Sequence, residues 1–250
     1  MSNITLIGAG NLATHIGLSL SKAGHSIIQV YSRTSHSASQ LANRLSCPFT
    51  TELDEIIESD LAIIAVNDDA IEVVEKHIHF TKVHTSGSTK MNILNGEHIG
   101  VLYPLQSFTK QNQVDFKTIP ICIEANSQLL MALLKEIASS ISNKIIMMNS
   151  DQRTHLHLSA VLACNFSNLM YQLSDEICRK HNLSFELLYP LIEKTANKIS
   201  SVTPKDAQTG PAKRQDYKII NQHLEMLKNS NQSEIAEIYK QLSESIEKRV

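Results

Sequence analysis

The sequence predicts an α/β chain, with a doubly wound, mostly parallel sheet in residues 1–149 and an all-helical domain in residues 150–250. Three observations predict it. Seven of the eight glycines fall at or before Gly100 and the last is Gly210, and glycine serves the tight strand-to-helix turns of α/β folds. Short apolar runs alternate with helically periodic segments through the first part only. A glycine-rich loop stands between the first run and the first periodic segment, where a parallel fold places its phosphate-binding turn.

The elements follow in order. Ile4 to Ile7 reads as a strand, Asn11 to Ala23 as a helix ending at Gly24, and Ile27 to Tyr31 as a second strand. Ser37 to Leu45 has helical spacing, and Leu53 to Ile57 a short helical turn. Leu61 to Val66 is apolar throughout, as a strand covered on both faces must be. Ala70 to His77 is helical, and Lys82 to His84 and Ile99 to Tyr103 are strands. Ile119 to Glu124, a helix from Gln128 to Ser140, and Lys144 to Met148 complete the sheet.

The pattern changes near Asn149. Ser150 is placed to cap a helix whose first turn carries Asp151. From Leu156 to Tyr171 that helix is apolar on nearly every face, so it is expected to be surrounded by protein. Another helix follows Ser184. Gly210-Pro211 marks a further start, with proline at the first position, running to about Lys228. A last amphipathic helix follows Ser233.

Composition narrows the function classes. A formal charge of -2, without blocks of like charge, gives no reason to expect nucleic acid or an acidic membrane surface. No apolar stretch has the length of a membrane span, and the N-terminus lacks a basic region before its first apolar run. Cys47, Cys122, Cys164 and Cys178 have no paired spacing, which fits free thiols in the cytoplasm. The histidines of the two closest pairs, His77/His79 and His155/His157, would point to opposite faces of a helix, so no metal site is expected.

Gly8-Ala9-Gly10-Asn11-Leu12-Ala13 has the G-x-G-x-x-A form of a Rossmann dinucleotide loop. Gly8 permits the turn, Gly10 leaves room for a pyrophosphate, and Ala13 lets helix and strand pack closely. The N–H groups that open the helix, those of Asn11, Leu12 and Ala13, would hold the phosphates. The alternative is a tight turn that binds nothing. The end of the second strand selects the cofactor. An NAD site places an acid there for the ribose hydroxyls, whereas this chain has Ser32, Arg33, Thr34 and Ser35. Arg33 can pair with a 2′-phosphate, with Ser32 and Thr34 donating hydrogen bonds, so the expected cofactor is NADP(H). An ordinary solvated arginine is the alternative.

Ligands in such sheets sit beyond the carboxyl ends of the strands. Val66 and Asn67 follow one strand, as cofactor contacts. His84, followed by Thr85, Ser86, Gly87 and Ser88, ends the next. His84 is a catalytic candidate, and Ser86, Gly87 and Ser88 could orient a carbonyl or carboxylate; a turn whose hydroxyls bond the local backbone accounts for them equally well. In the long helix His157, Val161, Asn165 and Asn168 fall on one stripe. Histidine as a residue type exchanges protons near neutrality, so His157 is a candidate proton donor, against the alternative of a satisfied core histidine. Asn165 would position substrate. Thr209, Lys213 and Arg214, at the expected helix start, are candidates for an anionic substrate group.

Several segments recur in order in a known group of proteins: Gly8 to Ala13, Val83 to Ser88, Tyr103 to Phe108, Asn165-Phe166, and Thr209 to Asp216. The chain resembles bacterial proteins that join a Rossmann-like domain to a helical domain of unassigned function and are often classed as oxidoreductases. More distantly it is similar to pyrroline-5-carboxylate reductase, ketopantoate reductase and the β-hydroxyacid dehydrogenases. The resemblance implies a nicotinamide domain followed by a helical domain that forms the substrate pocket and often a homodimer. Many relatives carry His where this chain has Tyr103, and the lysine that β-hydroxyacid dehydrogenases use on the first long helix is absent, so that particular mechanism does not carry over. The combined expectation is an NADPH-dependent reductase, or the reverse dehydrogenase, for a small carboxylate-bearing substrate. The rival is a non-catalytic nucleotide-sensing or assembly module.

Overall fold

A computed structural model describes residues 1–109 and 114–249. Eight strands form one sheet: β1 (Asn3–Ile7), β2 (Ser26–Tyr31), β3 (Phe49–Thr50), β4 (Leu61–Ile64), β5 (Lys82–His84), β6 (Ile99–Pro104), β7 (Pro120–Ala125) and β8 (Lys144–Met147). Their order is β3-β2-β1-β4-β5-β6-β7-β8. All neighbours are parallel except β6 and β7, so β7 and β8 run against the rest.

The apolar strands explain the layers. Leu61 and Ile63 of β4 face one core, with α1 (Asn11–Lys22), α2 (Ser35–Leu45) and α4 (Gln128–Ile141). Ala62 and Ile64, the alternate residues, face a second core with Ile71 and Val74 of α3 (Asp68–Glu75). Covered on both faces, β4 has no place for a polar residue. The chain lays down β1, β2 and β3 in one direction and returns to add β4 on the other side of β1. That reversal opens a crevice at the carboxyl ends of β1 and β4.

Two compact units divide between Ala163 and Cys164, fourteen residues beyond the change of pattern at Asn149. The first unit keeps α5 (Ser150–Ala160) because Arg153, fully buried, is ion-paired with Glu124 of β7. The second contains α6 (Phe166–Lys180), α7 (Tyr189–Lys198), α8 (Pro204–Ala207), α9 (Tyr217–Asn229) and α10 (Ser233–Glu247). There α9 packs on α10 around Ile220, Leu227 and Ala236, and His223 Nδ1 lies 2.9 Å from the Tyr239 hydroxyl. Among the described residues no helix is long and apolar enough to cross a membrane, and the four cysteines are free.

Several expectations are corrected. Strand β3, two residues at the sheet edge, is too short to show alternation. The cap of α5 is Asn149, in a reciprocal capping box with Gln152, which releases the Ser150 hydroxyl to donate to Glu124 at 2.8 Å. The long helix is interrupted by a π-helical stretch, Val161–Asn165. Its i→i+5 turns break the 3.6-residue period on which the stripe joining His157 to Asn165 and Asn168 rested. Along that helix Leu158, Leu162 and Phe166 are each more than half exposed. Gly210-Pro211 does not open a helix. Arg214 and Asp216 bond back to Pro211 in a turn, and the helix begins at Tyr217.

Candidate active site

The glycine loop joins β1 to α1 and is shaped by backbone constraints. Gly8 donates its N–H to Tyr31 O of β2 at 2.8 Å and has φ +116°, a conformation closed to residues with a Cβ. A methyl there would lie 2.2 Å from Ala65 O. Gly10 differs: nothing lies within 4 Å of where its Cβ would be, so the space over it is open. Gly10 is the N-cap of α1, no side chain caps that helix, and its first turn has no acid. The N–H groups of Asn11, Leu12 and Ala13 therefore present the positive end of a helix dipole to that space. The Asn11 side chain itself is engaged, donating to Phe108 O at 3.0 Å. This loop fits a pyrophosphate.

At the end of β2, Arg33 is exposed and makes no ion pair among the described residues. Thr34 is the N-cap of α2 and its hydroxyl makes no cap bond; the first turn of α2 also lacks an acid. Ser32 is half-buried, with its N–H on Thr50 O at 3.2 Å. A guanidinium, an uncommitted hydroxyl and an acid-free helix start suit a phosphate.

A cavity of about 270 Å³ opens beside the loop, its wall including Gly10, Val66, Asn67, Asp68, Gly87 and His157. His157 comes from α5, one turn after the buried Arg153. Its Nδ1 is 3.1 Å from the hydroxyl of Tyr103 on β6, with the rings crossing at 73°. Gly87 makes this approach possible: a Cβ there would lie 2.6 Å from His157 Nδ1 and 2.7 Å from Tyr103 Cζ. Burial pushes the Tyr103 hydroxyl up to about 12, with Cys122 adding to the rise, so it keeps its proton at neutral pH. Its oxygen can accept from Nδ1–H both in the neutral Nδ1–H tautomer of the imidazole and in the imidazolium. Nδ1 thus keeps its proton and its partner in both states, and Nε2 makes no hydrogen bond among the described residues.

Of the other candidates in the loop after β5, Ser86 lines the same cavity, whereas His84 and Ser88 do not. His84 is fully buried, its Nδ1 accepts the Ser86 N–H at 3.1 Å, and its Nε2 has no partner. Burial lowers it to about 4, with the Arg153 cation adding to the effect, so it is neutral and is no part of the cavity wall. Ser86 Oγ accepts the N–H groups of Ser88 and Thr89 at 3.2 and 2.9 Å, and Ser88 Oγ donates to the Asp68 carboxylate. The Ser86 hydroxyl thus serves the loop's own backbone, whereas that of Ser88 reaches α3. Asn165, exposed at the N-cap of α6, Thr209 and Arg214, both exposed in the Gly210 turn region, belong to the second unit. The helix start that would have given Thr209 and Arg214 an anion site lies instead at Tyr217, where the Asp216 carboxylate occupies it by accepting the Ile219 N–H at 3.3 Å.

Sequence reasoning missed three residues: Tyr103 as the partner of His157, and the ion pair of Arg153 with Glu124. Glu124 carried a signal, a carboxylate ending an otherwise apolar strand, which requires a buried partner.

Residues 119–246, just over half the chain, match the family described as Domain of unknown function (DUF2520). The chain belongs to that family. Residues 3–86 match a second family, NADP oxidoreductase coenzyme F420-dependent. Among solved structures, a Bacteroides fragilis protein provisionally named an NADP oxidoreductase is 43% identical, with a TM-score of 0.91 over 99% of this chain and 98% of that one. Two more distant structures share the fold. An imine reductase from Myxococcus stipitatus, in complex with NADP+, is 12% identical with a TM-score of 0.68 over 97% of this chain and 93% of that one. The 1-pyrroline-5-carboxylate reductase of Streptococcus pyogenes is 14% identical with a TM-score of 0.62, over 99% and 98%. No curated protein matches the chain. The first part of this DUF2520 protein is an oxidoreductase-type Rossmann domain for a nicotinamide cofactor.

Proposed function

We propose that this DUF2520 protein is an NADP(H)-dependent oxidoreductase acting on a small substrate, with His157 as its proton-transferring group. One observation carries the reading: the cavity that adjoins the open glycine loop is lined by His157, whose Nδ1 is satisfied by Tyr103 and whose Nε2 is the nitrogen left to act. A sensing module needs no such group. The N–H groups of Asn11, Leu12 and Ala13 would hold the pyrophosphate under the open face of Gly10. Val66 and Asn67 would flank it, and Arg33, Ser32 and Thr34 would take the 2′-phosphate. Bound there, the nicotinamide supplies or accepts the hydride. His157 delivers a proton to the heteroatom being reduced, or removes it in the reverse direction.

Cofactor choice tests the reading directly. Calorimetry is expected to show NADPH binding more tightly than NADH, by about tenfold or more, since a charge-assisted hydrogen bond contributes about 1.5–3 kcal/mol. Arg33→Ala is expected to remove most of that preference while leaving NADH affinity as it was. Equal affinities in the wild type, or a preference that survives the substitution, would exclude Arg33 as the selecting residue.

The helical run after Ser150 supports a homodimer. Leu158, Leu162, Phe166, Leu169 and Tyr171 are all exposed, and a two-fold copy is the commonest way for a soluble protein to cover such a face. Light scattering at micromolar concentration is expected to give twice the chain mass of 27.9 kDa, and Leu162→Glu or Leu169→Glu to return it to the monomer. A wild-type monomer refutes the dimer.

A further inference from the structure

We infer that Arg153 is the positioning residue of the site, holding His157 against Gly87 and Tyr103 by fastening the start of α5 to β7 and to the loop after β5. The inference rests on His157 as the proton-transferring group.

Arg153 is fully buried, and it is joined on each side of its guanidinium to a different element. One terminal nitrogen pairs with the Glu124 carboxylate at the end of β7. The other donates to Thr89 O at 2.5 Å and to Ser150 Oγ at 3.2 Å. Glu124 is itself bound to the helix start, accepting the Ser150 N–H at 3.0 Å and the Ser150 hydroxyl at 2.8 Å. The same hydroxyl oxygen accepts the Met91 N–H at 2.9 Å. Every one of these bonds ends on the first turn of α5 or on the segment following Gly87.

The placement matters because of what lies one turn further on. Residues four apart share a helix face, so whatever fixes Arg153 fixes His157. The clearance at Gly87 leaves no room for drift, since not even a methyl group fits between its backbone and the two rings. A buried ion pair is a poor device for stability alone, because desolvation offsets most of its attraction and apolar residues of like volume serve as well. A planar fork that bonds two elements at fixed angles does something apolar residues cannot. It also leaves its Nε without a partner, which is a cost that stability alone would not retain.

The test uses the full-length protein labelled with ¹⁵N, and reads the His157 ring resonances, identified by their loss in His157→Gln. Arg153→Met, Arg153→Lys and Glu124→Gln are compared with wild type, with NADPH affinity measured on each. In the Met and Gln variants the ring resonances are expected to move and broaden as the Tyr103 contact is lost, with NADPH affinity unchanged. Turnover is expected to fall about 100-fold through kcat rather than KM, the scale of a misplaced catalytic group. Arg153→Lys, which keeps the charge without the fork, should restore little of it. Should Arg153→Met fail to fold, Glu124→Gln decides. A variant that melts earlier but leaves the His157 ring and kcat as in wild type overturns the inference. If the ring moves in these variants while His157→Gln turns over normally, the positioning holds and the catalytic reading falls.

Discussion

His157→Gln is expected to lower kcat by about 10²- to 10⁴-fold, the span of a general acid–base contribution, on a substrate found by screening keto- and imino-acids with NADPH. Glutamine nearly fills the space of the ring and can accept from the Tyr103 hydroxyl, whose partner is now His157 Nδ1 at 3.1 Å. It cannot carry a proton at neutral pH, so the packing stays and the chemistry goes. NADPH affinity should be unchanged, because in the proposed function the glycine loop and the end of β2 would hold the cofactor. Calorimetry and steady-state kinetics on the same preparations separate the two effects. A variant that turns over at the wild-type rate removes His157 from the mechanism. His84 is then no substitute, being fully buried and, at about 4, neutral across the working range.

The second large effect concerns the two glycines of the loop, which should fail in different ways. Gly8→Ala places a methyl 2.2 Å from Ala65 O in a backbone at φ +116°. The loop must move or β4 must, and the loss is expected to be about 3 kcal/mol or more of stability, with NADPH binding lost as well. Gly10→Ala meets nothing within 4 Å, and its backbone, at φ -77°, suits any residue. That variant should melt with the wild type when free of cofactor. It should bind NADPH far more weakly, because the added methyl would stand where the proposed pyrophosphate approaches. Thermal melts with and without NADPH distinguish them: the Gly8 variant is low in both, and the Gly10 variant is normal in the first and fails to rise in the second. A Gly8 variant that melts like wild type would contradict the clash. A Gly10 variant that NADPH stabilises fully would place the cofactor elsewhere.

The division between local and distant information explains what the sequence made legible. The strands and the first helices are local patterns: Leu61 to Ile64 reads as a strand covered on both faces because each residue meets one of two cores. The glycine loop is likewise local, since Gly8 and Gly10 act through their own backbones, and the absence of an acid after β2 needs no tertiary structure to be seen. Errors came where a local pattern had a competitor. Asn149 displaced Ser150 as the cap because only Asn149 completes a box with Gln152, and Pro211 lost its helix to the Asp216 cap.

By itself, then, the sequence determined the layered α/β architecture, the helical second part and a glycine loop of the dinucleotide-binding form, with Arg33 rather than an acid at the end of the next strand. Only the tertiary structure decided which of two histidines lines the cleft. Both stand in plausible motifs, but β5 lies between β4 and β6 in the sheet, which shuts His84 inside. His157 reaches Tyr103 across 54 residues of chain, over a glycine that leaves just enough room. Hydrophobic period and backbone chemistry act between near neighbours and so are written along the chain. A hydrogen bond between distant residues exists only after packing has brought their elements together, and no spacing in the sequence records it.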